Sequence, residues 1–469
     1  MRLRRSTCTI IGRSIVRDTK LAAQHSKSLN KEDDALLQSL QKKAFTFFTC
    51  KTDLQRGLVH DSTEPSSPCS ISAVGFALSC FPVAIERGLM ERTDALAQTL
   101  AALRFFYDAD MSGAADAMGY KGFFYHFLDM QTGRRAWHSE LSTIDTTLLL
   151  FGMLAAAQYF KRDNAKEREL RDLTHAIYAR VDWRWAQNGQ LALVLSWQPE
   201  SGFNKDYWLG YNEAMLMYVL ALAAPVFAID VTAYTTWTST FRWKRMYGHD
   251  VLYARSLFIH QYSHIWLDLR GIRDKFMTAK NSDYFDNSRK ATQIQQQYAM
   301  RNPRQFEGYQ EFCWGITASN GPGDKILDVK SRQRKFYGYT ARGVPFGPDD
   351  GTITPWTVIA SLPFAPEIVL PTVRHLKKLL GYHPNGMGFL TSFNLTYPGD
   401  RKTPGWVAPW HYAINQGAIV LMIENYRTGL IWTLMRDCAP IRLGLRRCGF
   451  AGGWLANAKA RTTQNRRVY

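Results

Sequence analysis

The sequence predicts an all-α fold, and three observations carry that reading. Apolar residues recur at helical spacing in about ten segments. Strand-like runs are few and short. The segments between are long and rich in Gly, Pro, Asn, Asp and Trp, as in SWQPESGFNKDYWLGYN and SNGPGDKILDVKSRQRKFYGYTARGVPFGPDDG, which is the composition of loops. From Asp33 onward, Leu36, Leu37, Leu40, Ala44, Phe47 and Phe48 share one face of a first helix. Further helices are expected over Ser70 to Glu86, Arg92 to Phe106, Ser142 to Phe160, Glu167 to Val181 and Glu213 to Ala224. The later ones are Ser288 to Ala299, Pro355 to Ala360, Pro366 to Leu380 and Gln416 to Leu434. No low-complexity linker or tight repeat divides the chain. It reads as a basic leader over 1–30, one domain over 31–455 and a basic tail over 456–469. About ten to twelve helices suit a toroid of paired helices with long, aromatic-rich loops.

The net charge of +18 first points to nucleic acid. Its distribution points elsewhere. Residues 1–30 carry +6 and residues 441–469 carry +7, which leaves +5 for 31–440. Basic ends on a near-balanced domain attract anionic surfaces without specificity. There is no zinc-finger spacing or RNA-binding aromatic motif, so no specific nucleic-acid partner is expected. The longest apolar stretch, Ala214 to Ile229, is broken by Pro225, so no membrane span is expected. Seven cysteines are scattered without a CxxC pair, and an odd count leaves one without an intramolecular partner. The N-terminal apolar run is interrupted by Arg13, which makes a poor secretory signal.

Acids stand at the mouths of apolar helices. Ser142-Thr143-Ile144-Asp145 fits a capping box, in which Asp145 favours the positive end of a helix. That explains Asp145 but not Glu140, which precedes the cap. GYNEAMLMYVLALAAP repeats the arrangement: Asn212 caps, and Glu213 stands where a core helix meets a loop. A helix N-terminus lowers a carboxyl pKa, whereas a general acid needs its pKa raised. Burial among the aromatics that precede Glu213, Trp208 and Tyr211 included, would reverse the balance. Aromatic residues make up 13% of the chain, and many stand in polar loops such as FEGYQEFCWGITASNGP and GWVAPWHYAINQG. Such rings match a sugar's C–H face while neighbouring polar groups reach its hydroxyls. His260 and His264 have the i,i+4 spacing of a helical metal pair, but no Glu follows the first His as in HExxH. No metal and no cofactor are expected. Asp349 and Asp350, in GPDDGT, sit in a turn-rich loop.

Seven blocks together resemble the bacterial glycoamylase-like family, which includes endo-β-1,2-glucanases and a domain of cyclic β-1,2-glucan synthases. They are SISAVGFALSCFPVAIERG, GFFYHFLDMQTGRRAWHSELSTIDT, GYNEAM, FIHQYSHIWLDLRGIRD, CWGITASNGP, DDGTITPWTVIASLPFAPEI and INQGAIVLMIENYRTGLIW. The resemblance implies an (α/α)6 toroid, cleavage or transfer of glucan linkages, and residence in the periplasm or beyond. The leader as written sets cytoplasmic residence beside that. The resemblance makes Glu213 a catalytic carboxylate and Glu140 and Asp145 its partners or sugar ligands. Tyr211, Trp208, His264, Trp314, Asp349, Asp350, Trp406 and Asn415 become substrate-binding positions. Two departures stand out: Asn320 and Asn415 occupy places where the family pattern carries an acid. Asn cannot act as a general base. The expected function is hydrolysis of β-1,2-glucan by a carboxylate acid and base. A transglycosylase and a binding-only relative are the alternatives.

Overall fold

The computed structural model describes residues 29–399 and 405–457. Of the leader and tail, only 29–30 and 456–457 fall within the described residues. Helices dominate. In chain order they are α1 (Lys31–Cys50), α2 (Ile71–Glu86), α3 (Arg92–Tyr107), α4 (Thr143–Tyr159), α5 (Ala165–Ala179), α6 (Met215–Ala223), α7 (Thr232–Ser239) and α8 (Ile259–Trp266). They continue with α9 (Lys275–Ala279), α10 (Tyr284–Arg301), α11 (Pro355–Ala360), α12 (Pro366–Leu380), α13 (Ala413–Arg427), α14 (Leu430–Asp437), α15 (Ala439–Arg447) and α16 (Gly453–Asn457).

Local chemistry sets many of the starts. Side chains of Asn30, Ser142, Asn164, Asp274 and Asp283 each accept a hydrogen bond from a first-turn N–H. Pro355 and Pro366 occupy the first positions of α11 and α12, where the missing N–H costs nothing. The helix expected over Gln416 to Leu434 is two helices. Gly429, at φ +71°, turns the chain between α13 and α14. The loop expected between α10 and α11 contains an antiparallel hairpin, Lys325–Val329 against Arg332–Phe336. Its turn residues, Lys330 and Ser331, both adopt positive φ without glycine, so the turn signal was invisible.

Two kinds of helix alternate along the chain. In α2, α4, α6, α8, α11 and α13 nearly every residue is buried. By contrast α1, α3, α5, α10 and α12 bury one face only. The buried helices touch closely. A Cβ on Gly75 of α2 would stand 2.3 Å from the Leu148 carbonyl oxygen, and one on Gly152 of α4 would stand 2.1 Å from that of Gly75. Gln261 of α8 donates to the Thr357 carbonyl of α11 at 2.6 Å and to Ser361 Oγ at 2.8 Å. At the other end of the sequence, Gln41 of α1 donates to Glu424 Oε2 of α13 at 3.0 Å. Arg87, just after α2, makes a fork onto the same carboxylate with two bonds of 2.8 Å. One contiguous apolar core runs through all of these helices.

Candidate active site

Polar groups collect at the starts of the buried helices α4, α6 and α13. At the start of α4, Ser142 Oγ accepts from the Asp145 N–H at 3.1 Å and donates to Asp145 Oδ2 at 2.6 Å. The capping reading of Asp145 is thus correct, and its carboxylate still reaches further. His126 lies with Nδ1 2.9 Å from Glu140 Oε1 and Nε2 3.6 Å from Asp145 Oδ2. Burial alone would lower His126. The carboxylates of Asp145 and Glu140 outweigh it and carry the imidazolium up to about 9. Burial would raise Glu140, but the hydrogen bond and charge of His126 hold it below the usual carboxylate range. One cation therefore lies between two carboxylates. The three side chains bring ligand atoms within 4.8 Å of one another, a spacing that a divalent ion would also accept. Protonated His126 already supplies the positive charge there.

Glu213 is not in a helix. It occupies the turn before α6, where Asn212 Oδ1 accepts from the Ala214 N–H at 3.2 Å. Its side chain is half-buried. Burial pushes its carboxyl up to about 7, a hydrogen bond from its own backbone opposes this, and the Asp145 charge adds to the rise. The helix-end effect loses to desolvation here, because the Glu213 carboxyl lies outside the first turn of α6. Trp208 fixes this turn to α4: its indole N–H donates to Thr143 Oγ1 at 3.0 Å, and its carbonyl accepts from Tyr218 OH at 3.2 Å.

A fourth acid, absent from the sequence-based expectation, joins them. Asp61 lies in VHDSTEPSSP, and its carbonyl accepts from the Ala413 N–H at the start of α13 at 2.8 Å. Burial raises its carboxyl to about 6, with His126 opposing and Asp145 and Glu64 adding. Tyr262 and Tyr339 both feel the charges of Glu213, Asp145 and Asp61, so these three acids share one neighbourhood. Tyr339 is 75% exposed and Tyr262 only 5%. Tyr412 feels Asp61 and accepts a short hydrogen bond from Asn320 Nδ2. The sequence carries no signal for Asp61, which stands in a turn-rich stretch and reaches the start of α13 only through the fold.

The other expected positions scatter. Asn415 is buried in the first turn of α13, next along from Tyr412. Trp406 is half-buried in a two-residue strand paired with Phe393–Asn394. Five expected positions need correction. Tyr211 packs in the core against Tyr284, Phe241 and His260. His264 is wholly buried, bonded to Ser288 Oγ at 3.0 Å and packed on Phe364. Burial pushes it down to about 3, so it is a neutral core residue. Trp314 has no exposed surface. Asp349 and Asp350 are consumed by structure. Asp349 accepts from Tyr298 at 2.8 Å and Tyr309 at 2.7 Å, and Asp350 pairs with wholly buried Arg342 at 2.7 Å. Both acids are buried, at 3% and 0% exposure, and face these partners rather than a substrate.

Residues 205–439 match the glycoamylase family model, described as "Putative glucoamylase". The chain belongs to this family. A solved family structure, a "putative glucoamylase" from Bacteroides uniformis, is 30% identical; the match covers 92% of this chain and all of that one, with a TM-score of 0.79. An endo-β-1,2-glucanase from Chitinophaga pinensis, solved with sophorotriose and glucose, is 25% identical, covers 90% of this chain and 99% of its own, and gives a TM-score of 0.78. A curated relative is the exo β-1,2-glucooligosaccharide sophorohydrolase of Parabacteroides distasonis, 27% identical over 451 residues. That match takes in 88% of this glycoamylase-family chain, which spans 58% of the relative's length.

Proposed function

We propose that this protein is a glycoside hydrolase of β-1,2-glucan, with Glu213 as the general acid. The observation that carries the reading is the Glu213 carboxyl itself: half-buried in the turn before α6, pushed up to about 7, and near enough to Asp145 to feel its charge. An acid so placed holds a proton near neutral pH and can deliver it to a glycosidic oxygen. The complementary carboxylate is Asp61. Glu140 is committed to His126, and Asp145 is held by Ser142 and faces the same imidazolium. The Asp61 carboxylate makes no side-chain hydrogen bond among the described residues, feels His126 only as a charge, and keeps a raised affinity for protons, as a base that activates water requires. The hydrogen bond and charge of His126 hold Glu140 below the usual carboxylate range, and the carboxylate oxygens of Glu140 and Asp145 can accept sugar hydroxyls.

The helix pattern supports an (α/α)6 toroid, in which α2, α4, α6, α8, α11 and α13 form the inner ring and α1 packs outside its closing seam. Contacts join α2 to α4, α4 to α6, α11 to α13 and α13 to α2, and hydrogen bonds join α8 to α11. We place the protein in the periplasm or outside the cell; sequencing the N-terminus of the mature protein tests this.

Incubation with linear β-1,2-glucan should release shorter glucans or sophorose. Glu213→Gln should lower the rate by at least about 10³-fold, the scale for loss of a general acid at a buried site. Longer glucans among the products would convert the reading to transfer. Tight binding without release of sugar would convert it to a binding protein, which is the consequence of Asn320 and Asn415 if their places must hold acids. Asp61 is the reason to expect turnover.

A further inference from the structure

Trp137 is a large apolar side chain that the chemistry above leaves unused. It is 63% exposed, and its backbone lies in the left-handed region at φ +55°. His138 follows at φ +48°. Two consecutive residues with a Cβ in this region are disfavoured, and such strain persists only where surroundings impose it. They do so here. The Arg135 side chain is 1% exposed and pairs with Glu200 at 2.6 Å. Its Nε–H donates to the Ser139 carbonyl at 2.6 Å and a terminal N–H to the His138 carbonyl at 2.9 Å. Its guanidinium lies 4.5 Å over the Tyr125 ring. Gln198 donates to the same His138 carbonyl at 3.1 Å. The loop is therefore fixed, and it holds an apolar ring toward solvent.

That ring is continuous with the acid cluster. Trp137 contacts Phe127 with centroids 5.1 Å apart, and Phe127 stacks on His126 at 3.9 Å and 14°. His126 touches Glu140 and Asp145. A row of flat rings thus leads outward from the reacting centre. A lone exposed aromatic means little; one held in a strained conformation, two ring contacts from the acids, means more.

We infer that Trp137 is the stacking platform of an outlying subsite, which takes a glucosyl ring of the glucan chain on the Glu140 side of the cleft. The inference rests on the β-1,2-glucan reading. The apolar C–H face of the sugar would cover the exposed indole, and the fixed loop would spare the ordering cost of binding.

The test titrates the Glu213→Gln protein, by calorimetry, with sophorose and with linear β-1,2-glucooligosaccharides of increasing length. Adding Trp137→Ala should weaken Kd for the longer sugars on the order of tenfold and leave sophorose unchanged. Trp137→Phe should restore most of the loss. Trp137→Gly relieves the backbone but lacks the ring, and should weaken binding as alanine does. An unchanged length dependence in Trp137→Ala, or an equal loss at every length, overturns the subsite. Failure of the Glu213→Gln parent to bind any of these sugars discards the substrate class and the subsite with it. That result is distinct from a parent that binds and a Trp137 variant that binds identically.

Discussion

Glu213 and Asp61 hold their protons to higher pH than free carboxylic acids, and their tasks differ. The general acid works protonated, so kcat/KM should fall above about 7. The base works ionised, so the rate should fall below about 6. A narrow bell between these values is expected for hydrolysis of β-1,2-glucan, and Asp61→Asn should remove the acidic limb along with most of the activity. The same shift acts on stability. The folded chain binds the Glu213 proton more tightly than the unfolded chain, whose carboxyl titrates near 4.5. Stability from this group is therefore full below about 4.5 and lost as pH rises through about 7. Glu213→Gln should raise the thermal midpoint at pH 8, by roughly 1–3 °C for a chain of this size, and change it little at pH 4. Glu213 was legible in the sequence because an acid interrupts an otherwise apolar stretch. Asp61 was not, because VHDSTEPSSP reads as an ordinary turn, and only the fold carries it to the start of α13. Asp349 and Asp350 misled for the opposite reason: a turn rich in acids looks the same whether its carboxylates face a sugar or, as here, two tyrosines and an arginine.

At the scale of elements, the crossing of α2 and α4 depends on two glycines in helix interiors. Each weakens its own helix, and each lets the backbones approach. Gly152→Ala improves local propensity yet drives a methyl group into the Gly75 carbonyl. A net loss of about 1–3 kcal/mol is expected, as for overpacked cores, measurable by urea denaturation. A gain in stability would refute the close crossing. Long helices with a clear apolar period, α1, α3, α5 and α12 among them, were readable in the sequence. Short buried ones such as α8 were not, because eight residues with almost no exposed face show no period. Gly429 could have been read as the stop between α13 and α14, but the apolar pattern runs through it on both sides.

For the whole molecule, the seam between α1 and α13 matters most. Glu424 is 1% exposed and accepts from Gln41, from Arg87 twice and from Thr428. Glu424→Ala removes the anion and leaves Arg87 and Gln41 facing apolar surface. The expected cost is about 3–5 kcal/mol, read as a lower denaturant midpoint in a single cooperative transition. The seam also has a meaning during synthesis. Its two halves are separated in sequence by several hundred residues, and a ribosome adds roughly 5–20 residues each second. For tens of seconds the greasy sides of α2 and α4 emerge with no final neighbour to cover them. A nascent chain halted before Ala413 should stay sensitive to protease and adhere to chaperones, and release of the segment through α13 should end both. This fold is a clasp whose tongue is made first and whose buckle is made near the end.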